Sequence, residues 1–200
     1  MGRLKGHKPI IHNQVRTVKW DRISQRKARL RVARRWERPE QDYIKVNCDG
    51  AYDPQSGNGG WGCVLRDADG DVVSAQRGRV EALMSALHGE LIAIIHGTQA
   101  AADAGVGHVI IETDAVEVVQ AVYSDAFDLS AVTNLVAELR SLLDFNFISW
   151  HVQHCPRSCN KVAHELAALG SVCDPDEDHV LASLPANIIC VLAEDSALFG

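Results

Sequence analysis

Three acidic residues stand where a carboxylate could do chemistry, each within or beside a hydrophobic run. Asp49 follows the strand-like run 43–48, Glu90 lies inside the helix-like stretch 82–104, and Asp114 closes a second strand-like run. A carboxylate at the end of a buried strand is costly unless it is paired or holds a metal ion. Several converging carboxylates form a hard, oxygen-rich site that suits Mg²⁺. The three residues therefore predict a site for two-metal cleavage of a phosphodiester.

Two of these acids also have an ordinary structural interpretation when each is taken alone. Asp49 would start a turn together with Gly50, and Asp114 would cap the helix that follows it. Both interpretations stay open for the single residues. The combination of three acids on three different elements favours the metal site.

The residues around the three acids form motifs in an order that resembles type 1 ribonuclease H. The closer resemblance is to the plant reverse-transcriptase-like version of that domain, which occurs in retroelements and their domesticated relatives. The motifs are Asn47–Ala51, Gly59–Gly62, Glu90–Ala93 and Glu112–Ala115. A lead-in and a tail motif extend the resemblance from about Trp36 to about Leu169, and they are Trp36–Pro39, Lys45–Gly50 and His154–Ala163.

The resemblance implies an endonuclease that uses Mg²⁺ or Mn²⁺ to cut the RNA strand of RNA–DNA hybrids. It implies that Asp49 bridges two metal ions, that Glu90 binds one of them and that Asp114 binds the other. It also implies that His154 is the histidine of a mobile loop, which helps proton transfer or product release. A histidine suits that work because it titrates near neutral pH.

The chain departs from the family at the fourth carboxylate of the site. The tail motif usually ends in Ala-Asp, but here it ends in Ala163-His164. An imidazole can bind a metal ion, whereas Mg²⁺ prefers oxygen ligands, so the second metal site should be weaker. Glu165 lies about 100° further around the helix and cannot simply substitute. The departure keeps two alternatives open: a weak or inactive domain that binds nucleic acid or protein, and a remnant of a retroelement polyprotein.

Four further residues are candidates for substrate binding. In relatives the strand that carries Gly60 and Trp61 faces the hybrid, and the resemblance extends this role to Gly50 and Asn160. Small residues let a backbone approach the RNA strand and its 2′-hydroxyls. A β-bulge or tight strand packing is the other interpretation of the glycines.

A zinc-like group of side chains occurs near the C-terminal end of the motif region. It consists of His151, His154, Cys155 and Cys159. The group lacks a Cys-x-x-Cys spacing, and His151 falls on a predicted strand, so the sequence disfavours zinc binding.

The elements that must position these residues alternate between strand-like and helix-like patterns. Their order predicts an α/β fold with helices on both faces of a mixed sheet, and the resemblance implies the five-stranded sheet of the ribonuclease H-like fold. The predicted strands are 43–48, 61–66, 72–78, 109–113 and 145–152. The predicted helices are 82–104, one after Asp114 that runs through Val122, 129–143 and 158–169.

Charge divides the chain unevenly. Residues 1–40 hold 13 basic and 3 acidic residues, whereas the rest of the chain has a net charge of -16. We therefore divide the chain into a flexible basic arm (1–40), a ribonuclease H-like domain (41–170) and a C-terminal extension (171–200). A basic arm on an acidic body is typical of a tail that faces nucleic acid, and a solvated, disordered leader is the alternative.

Composition also bears on the compartment. No apolar run approaches the roughly 20 residues needed to span a bilayer. The six cysteines are scattered, which favours free thiols in a reducing compartment over a disulfide scaffold. We expect an intracellular protein of the nucleus or cytoplasm that works as a monomer. An Arg-rich leader is also compatible with an organelle address.

Overall fold

The computed structural model describes residues 34–124, 132–174 and 179–196. These residues all belong to the larger of two compact units, residues 33–200. Most of the predicted basic arm therefore lies outside the described residues.

The described residues form five strands and five α-helices. The strands are β1 (Ile44–Tyr52), β2 (Gly59–Arg66), β3 (Val72–Val80), β4 (His108–Thr113) and β5 (Ser149–His154). The helices are α1 (Ala86–Asp103), α2 (Val116–Tyr123), α3 (Thr133–Asn146), α4 (Lys161–Gly170) and α5 (Ala186–Ser196), with a short 3₁₀ turn at Arg157–Cys159 before α4.

The strands form one mixed sheet in the order β3-β2-β1-β4-β5. The first three strands are an antiparallel meander, whereas β4 and β5 run parallel to β1 and need helical crossovers. The β2–β3 turn is closed by Asp67, whose carboxylate accepts hydrogen bonds from the amides of Asp69 and Asp71. Because β1 is the central strand, its residues are flanked by strands on both sides.

The two faces of the sheet carry separate hydrophobic cores. Alternation along β1 sends Val46 and Cys48 to the face covered by α1, α2 and α3. Helices α4 and α5 cover the opposite face, where Leu166 and Ile188 are fully buried. The predicted mixed sheet with helices on both faces is confirmed.

Element ends differ from the predictions in physically explicable ways. Helix α1 begins at Ala86 rather than Ala82, because Ala82 has a φ of 57° and the Ser85 side chain caps the helix. The last strand begins at Ser149, not at Phe145, which is 89% exposed in the final turn of α3. The predicted start of that helix at residue 129 lies outside the described residues.

Both segments that flank the predicted domain pack against it. Trp36, in the predicted arm, is 4% exposed and lies with Cys155 and Cys159. In the predicted extension, α5 docks on the α4 face through Ile188. The folded unit therefore extends beyond the predicted limits of residues 41 and 170. Among the described residues, no helix is long and apolar enough to cross a membrane.

Candidate metal centre

The three predicted carboxylates meet at one end of the sheet. Asp49 lies within β1, Glu90 is in the first turns of α1, and Asp114 follows β4 directly. One carboxylate oxygen from each lies within 4.8 Å of those from the other two. Asp49 pairs with Gly62 in the β1–β2 ladder and does not start a turn, so that alternative is wrong.

A close approach of β1 and α1 brings Glu90 to Asp49. A Cβ atom on Gly50 would collide with the backbone of Gly89 and Glu90. The absence of a side chain at Gly50 therefore lets the helix lie against the strand. Gly50 was predicted to bind substrate, and the close approach of α1 gives a separate, steric reason for a glycine at this position.

The negative charges of the three clustered acids are only partly compensated by the positive groups around them. Burial raises the pKa of Asp49 to about 6, with repulsion from Asp114 adding to this effect and the hydrogen bond from His164 opposing it. Burial, together with repulsion from Asp49 and Asp114, raises the pKa of Glu90 to about 8. A divalent cation would relieve both causes, and oxygen donors are the ligands that Mg²⁺ and Mn²⁺ prefer. The donor set therefore fits such an ion.

His164 lies at the same centre, at the position of the missing fourth acid. Its Nδ1 atom is 3.0 Å from Oδ2 of Asp49, so the imidazole occupies one side of the central carboxylate. Glu165 points elsewhere, since its carboxylate accepts a hydrogen bond from Asn187 at 3.4 Å. The expectation that Glu165 does not replace the fourth acid agrees with this geometry.

Arg157 is a member of the site that the sequence reasoning missed. Its Nε atom donates to Asp114 at 3.0 Å, and its side chain is 77% exposed. Asp114 does not cap α2 as one interpretation had it, because the residue at the cap is Ala115, whose amide donates to the Thr113 hydroxyl. Arg157 stood inside the quoted tail motif, but nothing in its spacing showed that it would reach Asp114.

His154 lies near the centre but is not part of the carboxylate cluster. It is exposed and ends β5, opposite Thr113, rather than lying in the loop after the strand. Its predicted role in proton transfer or product release stays a prediction. The zinc-like group does not assemble among the described residues, since Cys155 and Cys159 are buried with Trp36 while His151 and His154 are exposed.

The residues of β2 that were predicted to bind substrate are buried and packed. Trp61 is 1% exposed, and its ring stacks on His96 with centroids 4.0 Å apart. A Cβ atom on Gly60 would collide with the end of α4 near Ala167 and Ser171. These contacts support the alternative of tight strand packing, and substrate binding by Gly60 and Trp61 stays a prediction.

Asn160, also predicted to bind substrate, is likewise buried. It is 1% exposed, and its amide donates to the carbonyl of Cys48 at 2.8 Å. Its Oδ1 accepts a hydrogen bond from Asn47 at 3.2 Å. This side chain ties the start of α4 to β1 beside Asp49, which is a positioning role, and direct substrate contact by Asn160 stays a prediction.

Comparison with known proteins identifies the domain. The sequence model of the reverse transcriptase-like family matches residues 47–170. The chain belongs to this family. The match contains all three carboxylates, Arg157 and His164. No curated protein matches the chain.

Solved structures similar to this reverse transcriptase-like domain include ribonucleases H. The N-terminal RNase H domain of rv2228c from Mycobacterium tuberculosis is 20% identical with a TM-score of 0.59, over 64% of this chain and 93% of that chain. RNase H1 of Halobacterium salinarum is 25% identical with a TM-score of 0.55, over 64% and 96%. LC11-RNase H1, isolated from compost by a metagenomic approach and solved in complex with an RNA/DNA hybrid, is 17% identical with a TM-score of 0.57, over 64% and 96%. The predicted ribonuclease H-like fold is confirmed.

The raised pKa of Glu90 predicts how the stability of this reverse transcriptase-like domain depends on pH. In the metal-free protein, Glu90 binds its proton more tightly when folded than when unfolded, with a pKa of about 8 against an ordinary 4.5. The free energy of unfolding should therefore fall as pH rises through this window. Glu90→Gln should remove most of that slope, leaving the smaller contribution of Asp49, and should stabilise the protein at pH 8 by on the order of a few kcal/mol.

Urea unfolding in EDTA at pH 5.5 and at pH 8 measures the effect. The exposed Glu117 supplies the matched control, since Glu117→Gln should leave the difference between the two pH values unchanged. If Glu90→Gln is less stable than the wild type at pH 8, then burial and repulsion do not destabilise the charged form of Glu90.

Proposed function

We propose that this protein is a divalent-metal-dependent endonuclease that cleaves the RNA strand of RNA–DNA hybrids. The observation that carries the proposal is the convergence of Asp49, Glu90 and Asp114, from three elements, at one end of a ribonuclease H fold. The hybrid bound to the similarly folded LC11-RNase H1 supports the choice of substrate. A fold alone does not define an activity, so the proposal depends on the site.

Each part of the site has a task in the proposed reaction. Asp49, Glu90 and Asp114 would hold Mg²⁺ or Mn²⁺, which would supply Lewis acidity to the scissile phosphodiester. Arg157 carries a charge that is 77% exposed beside Asp114, where it can contact a substrate phosphate. His154, exposed at the end of β5, keeps its proposed part in proton transfer or product release.

A second candidate function is favoured by one contact. Because the imidazole of His164 takes up one side of the Asp49 carboxylate and supplies no negative charge of its own, the site holds three acids where the family's tail motif usually adds a fourth. A site with fewer anionic ligands binds Mg²⁺ less tightly. The alternative is therefore a weak or inactive domain that binds nucleic acid or a protein partner through the same fold.

Partner and compartment follow from charge and cysteine content as further parts of the proposal. Phosphate neutralisation drives most affinity for nucleic acid, and the 13 basic residues of positions 1–40 would supply it to an otherwise acidic chain. All six cysteines are free thiols, and five of them are buried. We propose a monomer in a reducing compartment, the nucleus or the cytoplasm.

Cleavage of end-labelled oligonucleotides tests the proposal. With Mg²⁺ or Mn²⁺, the purified full chain should cut the RNA of an RNA–DNA hybrid and leave the matched DNA duplex and RNA duplex intact. Mn²⁺ should support the faster reaction, because it accepts a nitrogen ligand such as His164 more readily than Mg²⁺ does. Hybrid binding without cleavage in either metal, at high protein concentration, would support the binding module instead.

A further inference from the structure

A row of buried polar side chains crosses the α4 face of the sheet. Asp195 of α5 accepts a hydrogen bond from Nη1 of Arg66 at 2.9 Å, and Nη2 of Arg66 donates to Asn47 at 2.8 Å. Asn47 donates in turn to Asn160 at 3.2 Å. We call these four residues the relay. They connect the C-terminal helix to the start of α4 without a water-exposed link.

The burial of the relay is unusual for groups of this kind. Arg66 is 1% exposed, Asp195 5%, and Asn47 and Asn160 are almost fully buried. Charged side chains are almost never this buried unless they are paired, and a buried pair is only weak evidence for added stability. A better attested use of a buried ion pair is to favour one geometry over others. The contacts at the two ends of the relay show which elements that geometry would fix.

The inner end of the relay reaches every element of the acid site but α1. Asn160 donates to the carbonyl of Cys48, the residue before Asp49, and its own carbonyl accepts the amide of His164 at 3.0 Å. Asn47 also donates to Glu112 at 2.9 Å, two residues before Asp114. The relay therefore sets the positions of β1, β4 and the first turn of α4 relative to one another.

The outer end of the relay is held by segments outside the family match. The segment Arg34–Pro39, here called the strap, places the Trp36 ring 3.4 Å from the guanidinium carbon of Arg66. The strap also contacts α5, since Arg35 donates to the carbonyl of Glu194 at 2.9 Å. Neither the strap nor α5 belongs to the matched residues 47–170.

We propose that α5 and the strap are positioning elements of the acid site, and that they act on it through Arg66. Arginine suits this task because its planar fork can hold Asp195 with one nitrogen and Asn47 with another. Arg66 and Asp195 are positioning residues, since they contact neither the carboxylate cluster nor His164. The inference rests on the proposed function, because it assigns to the C-terminal helix a part in that same site.

Two single variants and a matched control test the inference in the full chain. Arg66→Lys keeps a charge but cannot hold both partners, and Asp195→Asn removes the charge that orients the fork. The control is Glu194→Gln on the same helix, which breaks an exposed pair with Lys161 at 3.1 Å. If either single variant fails to fold, the double variant Arg66→Met/Asp195→Leu replaces the buried pair by apolar groups, which proteins often tolerate.

The first readout is the ring signal of His164 in a ¹H–¹³C spectrum of the histidine-labelled, metal-free protein, assigned by its loss in His164→Gln. We expect the signal to move in the Arg66 and Asp195 variants and to stay in place in Glu194→Gln. The second readout is hybrid cleavage, in which kcat should fall about tenfold while KM changes less than about twofold, since positioning affects the reacting groups more than binding.

The outcomes separate this inference from the proposed function. An unmoved His164 signal in the folded variants would overturn the inference, whatever the activity. A moved signal with an unchanged kcat in an active enzyme would overturn it as well. A moved signal in a protein whose wild type cleaves no hybrid would instead refute the proposed function and leave the positioning role standing.

Discussion

Asp49→Asn is expected to abolish hybrid cleavage, with a loss of at least about a thousandfold, or roughly 4 kcal/mol of transition-state stabilisation. Asp49 is the only one of the three clustered acids that lies on the central strand, and it is 3% exposed between Glu90, Asp114 and His164. An amide there has the same size but removes the charge that metal ions would share. Single-turnover cleavage in Mg²⁺ and in Mn²⁺ measures the loss.

The matched control for this loss is Asp103→Asn, which changes an exposed carboxylate at the far end of α1. Its cleavage rate should equal that of the wild type. Circular dichroism of both variants should show the native fold, because an amide in place of the Asp49 carboxylate can still hydrogen bond to His164. Cleavage that survives Asp49→Asn would show that the activity belongs to a contaminant or to another site.

His164→Asp is expected to lower the Mg²⁺ concentration needed for half-maximal cleavage by about tenfold, equivalent to about 1.4 kcal/mol of binding free energy. The substitution removes the imidazole that lies 3.0 Å from Asp49 and adds a fourth carboxylate on the first turn of α4. Mg²⁺ prefers oxygen ligands, so an additional acid at this point should favour it. The rate is measured against Mg²⁺ concentration for both proteins.

His151→Asp supplies the control for charge alone, because it makes the same change on an exposed position of β5. It should leave the Mg²⁺ dependence unchanged. If His164→Asp needs as much Mg²⁺ as the wild type, or more, then His164 is adapted to its position as a partner of Asp49. The preference of the wild type for Mn²⁺ over Mg²⁺ should also be lost in His164→Asp.

The sequence alone determined the acids and the elements that carry them. A carboxylate beside a hydrophobic strand is costly unless it is paired or holds a metal ion. Three such carboxylates, within motifs that follow the order of the family, favoured a metal centre. Hydrophobic periodicity was also enough to predict the order of strands and helices, because it depends on neighbours in the chain. The family match and the converging oxygens of Asp49, Glu90 and Asp114 agree with this prediction.

Glycines and aromatic residues were ambiguous in the sequence, because the same residue types serve binding and packing. Gly60 and Trp61 suit a strand that approaches a nucleic acid, but a glycine can admit a helix as easily as a substrate. Only the packing of α4 and of His96 against β2 decided that both positions are buried. Both faces of β2 are covered. The sequence of the strand alone does not distinguish a covered strand from one that faces a nucleic acid.

Side-chain partners far apart in the chain were decided by the tertiary structure alone. Arg157 reaches Asp114 across 43 positions, and Arg66 reaches Asp195 across 129. No local pattern records such a pair, because each residue looks like an ordinary surface charge until the sheet and helices close around it. The acids that could hold a metal ion were therefore visible in the sequence, whereas their long-range partners, such as Arg157 and the residues that position the site, became visible only in the fold.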